Sequence, residues 1–225
     1  MKNESVSVRF LFVAELFLTL LGVGAGGCGD KPDTPQLGVT HAAVTAEGIG
    51  PELTQQGDII AKVTHPMGGG GSRNLEVIRD GQKPSADDPA NPQNQYDTFD
   101  NTTPDQAKTD DWVGYQFLGD VTFARVAFQA GMNFDDGGWF AALNVQVRHS
   151  GTWTAVSSLV VDPPYQPGAG HSYDSYRLDF APITGDAIRI EGAPGGSARF
   201  ISVAELQVWA APGTSGAPAA APLGA

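Results

Sequence analysis

The chain has 225 residues, of which 41% are hydrophobic and 17% charged, enough apolar material for one ordinary domain with tails. Its formal net charge of -12 repels phosphate backbones, which argues against nucleic acid as a partner. A single cysteine excludes an internal disulfide, and 29 glycines with 16 prolines favour a loop-rich β fold over a helical one.

Taken in chain order, Lys2 and Arg9 precede an apolar run, "FLFVAELFLTLLGVGAGG", that ends at Cys28. The run is short for a membrane span and closes on small residues, as a secretory signal does. A cysteine directly after such a stretch resembles the lipobox of bacterial lipoproteins. The resemblance implies cleavage before Cys28, a lipid on its sulfur and a membrane contact through that lipid. A plain signal peptide and an uncleaved anchor are the alternatives. Each route exports the protein, to the bacterial cell envelope if lipidated and otherwise as a secreted chain. Residues 1–27 are therefore expected to be a signal peptide. Residues 28–56 mix Pro, Gly, Thr and charge without a sustained period and read as a tether. Residues 57–210 read as the domain, and residues 211–225 as a disordered Ala/Pro/Gly tail.

Within the domain, alternation with a period of two dominates. "DIIAKVTH" is the first strand candidate. "WVGYQF" sets Val113, Tyr115 and Phe117 on one face, and "FARVAFQ" sets Ala124, Val126 and Phe128 against Arg125 and Gln129. "LNVQVRH" turns Leu143, Val145 and Val147 inward, and "SGTW" forms a hairpin turn into "TAVSSLVV". "YRLDF" aligns Tyr176, Leu178 and Phe180; "AIRIEG" and "ISVAELQVW" complete the set. Turn signals such as "DDGG", "DPP", "ITGD" and "PGG" separate the runs. About eight short strands of this kind predict an all-β, antiparallel sandwich, each sheet burying one face against the other. Trp112, Trp153 and Phe140 lie on apolar runs and are expected in the core. The long connection between Gly81 and Asp111 exceeds an ordinary loop.

Four stretches, "NLEVIRDG", "DWVGYQF", "VQVRHSGTW" and "SARFISVAELQVW", stand in an order and spacing that resemble the discoidin, or factor 5/8 type C, domains. That family includes the family 32 carbohydrate-binding modules. The resemblance implies a jelly-roll β-sandwich of galactose-binding-domain-like topology, with non-catalytic ligand binding through loops at one end. It also implies a structural calcium (Ca2+) held by Asp80, a carbonyl near Lys83, a threonine for which Thr98 is the nearest candidate, and Glu205. Asp97 and Asp100 are alternative donors. On the residues alone, the alternative is that Asp80 caps a turn and Glu205 pairs with Arg79 or Lys83.

Sugar binding needs an aromatic ring for stacking and planar polar groups for paired hydrogen bonds. The loops "GGGGSRN", Asp97–Asp111, "NFDDGGWF" and "GAPGGSARF" could gather at one end and bring Arg73, Asn74, Asp135, Asp136, Trp139 and Arg199 together. Tyr165, His171 and Tyr173 of "YQPGAGHSY" could join the same rim. Trp139, beside Gly137 and Gly138, either stands exposed as a platform or plugs the end of the core. Arg199 also falls where the resemblance implies a ligand contact. His41, His65 and His149 read as tether, loop and strand surface. The sequence shows no nucleophile elbow, paired-histidine zinc motif or phosphate loop, and the adjacent Asp135 and Asp136 would point apart on a strand. The expected activity is therefore non-catalytic glycan binding, with an adhesion or structural module for a protein partner as the alternative.

Overall fold

The computed structural model describes residues 48–64, 66, 70–85, 91–99 and 108–215. The chain divides into two compact units, residues 1–43 and 44–225, and every described residue belongs to the second. The signal segment, Cys28, His41, His65 and Asp100 lie outside the described residues. Among the described residues, no helix is long and apolar enough to cross a membrane.

Among the described residues the fold has eight strands: β1 (Asp58–Ala61), β2 (Tyr96–Asp97), β3 (Asp111–Ala130), β4 (Asn144–His149), β5 (Thr152–Ala155), β6 (Val160–Asp162), β7 (Ser175–Gly192) and β8 (Ser202–Ala210). All paired strands run antiparallel. Two of the expected strand pairs are fused: "WVGYQF" with "FARVAFQ" in β3, and "YRLDF" with "AIRIEG" in β7. β3 and β7 pair along their whole length, with register shifts between Gln116 and Val121 and between Phe123 and Arg125. The ribbon bends at these irregularities, as bulges do. Leu118, at the bend, is 69% exposed.

The bend turns one hydrogen-bonded sheet into two facing layers. The first layer carries β1, the first half of β3, the second half of β7, β4 and β5. The second carries β2, β8, the second half of β3, the first half of β7 and β6. Inward residues alternate as the sequence predicts. Val113, Tyr115, Val145, Val147, Ile188 and Ile190 of the first layer meet Val126, Phe128, Leu178, Leu206 and Val208 of the second. The Tyr115 hydroxyl spans the core and donates to the Leu206 carbonyl at 2.6 Å. The bulge also corrects one expected face: Phe123 is fully buried, and Ala124, beside the shift, is only partly covered.

Residues 50–56, expected to be tether, belong to the fold. Gly50 and Leu53 donate to the carbonyls of Ala210 and Val208 at 2.9 Å, and Leu53 is completely buried. "TAVSSLVV" is interrupted, giving β5 and β6 in different layers. Trp112 and Trp153 are not core residues. Trp112 alternates with the inward Val113, and Trp153 pairs with the outward Arg148, so both lie half-buried on the outer face of the first layer.

Candidate functional site

The doubled-back strands bring several loops to one end. Asp111, Ala130, Gly192 and Ser202 all finish there, while Gly50, Ala211 and the bend of β3 lie at the other end. A buried amide holds the loop end together. Gln95 is fully buried; its Oε1 accepts from Met132 N at 2.6 Å and its Nε2 donates to Ser202 Oγ at 3.4 Å. Sequence reasoning missed Gln95, because it sits in an aperiodic stretch of the long connection with no pattern to mark it as interior.

The two loops that carry most of the candidate ligand residues are joined backbone to backbone. Gly195 N donates to Trp139 O and Ala198 N to Asp136 O, both at 2.8 Å, and Gly138 N donates to Phe200 O at 3.0 Å. Trp139 and Arg199 therefore share one rim with Asp135 and Asp136. Asp135, Asp136 and Arg199 are exposed; Arg199 has a left-handed φ of 50° and no ion pair among the described residues. Trp139 is half-buried, and its indole nitrogen covers Gly195, where a Cβ would come within 1.9 Å of it. Phe140 is fully buried, as expected.

Gly138 makes this junction possible. Its φ is 109°, and a Cβ there would lie 2.6 Å from the Met132 carbonyl oxygen. Gly138→Ala is expected to destabilise the domain by about 3 kcal/mol through backbone strain. A urea titration measures the loss, and a loss below about 0.5 kcal/mol would show that the junction yields.

Other candidates stand differently. Tyr165 is committed to the fold: its hydroxyl accepts from Phe140 N at 3.1 Å and donates to Phe140 O at 2.9 Å, and burial pushes its ionisation well up. His171 is partly exposed, with Nδ1 2.9 Å from Asp174 Oδ2, on a loop joined to Asn133 through Ser172. Asn74 is occupied in capping the short 3-10 turn Leu75–Arg79, accepting from Glu76 N at 3.1 Å. Arg73 is exposed beside it, at a loop tied to β2 through Ser72.

The implied cation residues separate into two places. Asp80 does cap a turn, accepting from Gln82 N at 2.8 Å, and Arg79 pairs with Glu76 rather than Glu205. Glu205 is 2% exposed, and its Oε1 has no hydrogen-bond partner among the described residues. Burial, with the Asp80 carboxyl beside it, raises the Glu205 pKa to about 7, against the Gly81 N–H and the Lys83 charge. Gln129 Oε1, on its cross-strand neighbour, likewise has no hydrogen-bond partner among the described residues. Both residues line a cavity of about 50 Å³ with Lys83 and Ser175. Two carboxylates, an orphaned amide oxygen and a tight turn suit a hard cation. Among the described residues, no group of three or more His, Cys, Asp or Glu is placed to hold a metal.

Thr98 is not part of that set. It is fully buried elsewhere, donating to Asp111 Oδ2 at 2.6 Å and accepting from Ile201 N at 3.0 Å. Lys108 completes this second cluster, 3.1 Å from Asp111 Oδ2. Asp97 accepts from Gly71 N and Phe99 N and does not reach Glu205 either. The insertion between Gly81 and Asp97 carries the threonine away from the Asp80 turn and leaves it beside the rim.

The architecture is an antiparallel β-sandwich with several of its loops gathered at one end. A chain of the Streptococcus pneumoniae β-galactosidase BgaA superposes with a TM-score of 0.52 at 16% identity, covering 72% of this chain and 99% of that one. Module CBM32-5 of Clostridium perfringens GH89, solved with GalNAc-β-1,3-galactose, gives 0.49 at 15% identity, covering 71% and 100%. The family 32 module of C. perfringens NanJ, solved with galactose, gives 0.47 at 14% identity, covering 70% and 97%. No protein-family model matches the chain. No curated relative matches it either.

Proposed function

We propose that the domain is a non-catalytic carbohydrate-binding module that meets its glycan at the rim formed by residues 133–140 and 193–200. The observation that supports this most is the backbone junction of the two loops. It fixes an exposed Arg199, without an ion pair among the described residues, beside Asp135, Asp136 and the edge of Trp139. Arginine and carboxylate groups at a fixed spacing can share neighbouring sugar hydroxyls, and the indole edge supplies an apolar contact.

Calcium belongs to the same proposal as a structural ion. Asp80 and Glu205 would hold it with carbonyls of the turn from Gly81, and Gln129, whose Oε1 has no hydrogen-bond partner among the described residues, lines the same cavity. An ion there would neutralise a buried carboxylate and fasten the turn to β8. Export and lipidation at Cys28 are proposed as well. Gly50 and Ala211 lie at the end opposite the rim, so a tether leaving that end leaves the binding loops free.

A glycan array with calcium present tests the reading, followed by titration of the best ligand. Arg199→Gln is expected to weaken binding about tenfold while leaving the melting temperature unchanged, since Arg199 is exposed and forms no ion pair among the described residues. Trp139→Ala should lower both, because its ring also covers Gly195. An array silent across neutral, acidic and amino sugars would overturn the glycan reading and favour a protein partner at the same rim.

A further inference from the structure

The outer face of the first layer holds two tryptophans that neither the core nor the rim uses. Trp112 of β3 and Trp153 of β5 flank Arg189 of β7, whose guanidinium lies 4.8 Å and 4.2 Å from the two ring centroids. The rings themselves are 6.4 Å apart and tilted by 41°. Gln146 Oε1 fixes the guanidinium, accepting from Nε at 3.0 Å and Nη2 at 2.6 Å, and Gln146 Nε2 donates to Glu191 Oε1 at 3.0 Å. Gly114 forms the floor: a Cβ there would run into the backbone of Ile188 and Arg189.

Charge on this face is mixed rather than one-signed. Lys62 pairs with Asp110 at its edge, and Arg189 ion-pairs with no carboxylate among the described residues, although Glu191 and Asp110 lie near enough to act on it. Interleaved donors and acceptors around aromatic rings disfavour a polyanion, a polycation or a lipid surface. They suit a neutral polyhydroxyl chain, whose hydroxyls both donate and accept and whose C–H faces meet indole. Trp112, Arg189 and Trp153 stand on three different strands, so the surface they form runs across the sheet and suits the side of a polymer rather than a chain end.

We propose that Trp112, Trp153 and Arg189 form a second binding surface, on the sheet face, for an extended run of a neutral polysaccharide. It extends the glycan reading of the domain but uses none of the rim residues, so the two sites can fail separately. Two sites on one module would raise retention on a polymer without new contacts at the rim.

The full chain is tested by native electrophoresis in gels containing a neutral glucan or a neutral galactan, beside titration of short oligosaccharides. Trp153→Ala removes half of the stack. Ala155→Lys, exposed on the same face of β5, blocks it without removing core packing. Retention of the wild type should weaken about tenfold in both variants and persist in Arg199→Gln. The proposal is overturned if neither neutral polymer retains the wild type, if Ala155→Lys is retained as well as the wild type, or if Arg199→Gln alone abolishes retention. Loss of short-oligosaccharide binding in Arg199→Gln, with polymer retention intact, supports both sites. Intact short-oligosaccharide binding in that variant, with retention lost in Ala155→Lys, removes the rim and leaves the face.

Discussion

Lys108→Met is expected to cost the domain about 3–5 kcal/mol at neutral pH, the usual penalty for stripping one partner from a buried ion pair. Asp111 is fully buried and receives Lys108 Nζ at 3.1 Å, Thr98 Oγ1 at 2.6 Å and Trp112 N at 3.0 Å. Lys108 also donates to the Thr98 carbonyl, so its removal leaves a charge without its counterion and an acceptor without its donor. Burial already pushes the Asp111 carboxyl above its ordinary range, with Lys108 the main opposing influence. Losing the lysine drives it higher, and protonation then relieves the charge. The deficit should therefore be largest near neutral pH and shrink as the pH falls. Chemical denaturation of both proteins at two pH values measures it. A loss below about 1 kcal/mol, or one that is the same in acid, would show that the pair is not what secures the loop base. Asp111→Asn in the Lys108→Met background should recover part of the loss, because no charge is then left buried.

The second large effect concerns Glu205. In a chelator, a carboxyl raised from an ordinary 4.5 to about 7 by folding stabilises the domain fully below pH 4.5. That contribution is lost as the pH rises through about 7, because the unfolded chain ionises first. The shift corresponds to roughly 3 kcal/mol, or about 6–12 °C in melting temperature for a domain of this size. Buried Asp97 and Asp111, also raised by burial, slope the curve the same way, so the measurement is a difference. Wild type should lose more stability than Glu205→Gln between pH 4.5 and pH 7.5. Millimolar calcium at pH 7.5 should restore it in the wild type, since a bound cation favours the ionised form, and should do nothing for the variant. Equal pH slopes would count against the buried acid. A calcium response that survives in Glu205→Gln would place the ion elsewhere.

The two clusters explain why the sequence reads one neighbourhood and blurs another. The approach of Asp80 to Glu205 is legible because each sits in a short local pattern, a turn signal and a strand. Thr98 is misread because the intervening insertion has no periodicity, and proximity along the chain stands in for proximity in space. Tyr165 is misplaced for a related reason. Its residue type suits a rim, but whether its hydroxyl is free depends on Phe140, a partner set by the fold.

What the amino-acid order determined by itself is the alternation: which residues of a strand share a face, that the strands form an antiparallel sandwich, and that glycine pairs mark the loops at one end. Alternation is a local property of an extended backbone, so a strand's own residues suffice to show it. Only the tertiary structure decided that β3 and β7 each double back through both layers, that residues 50–56 join the sheet, and that Trp112 and Trp153 face outward around Arg189. These depend on register and on bulges, and a shift of one residue reverses every face beyond it. That choice rests on the fit of the whole core, which no single stretch of the chain contains.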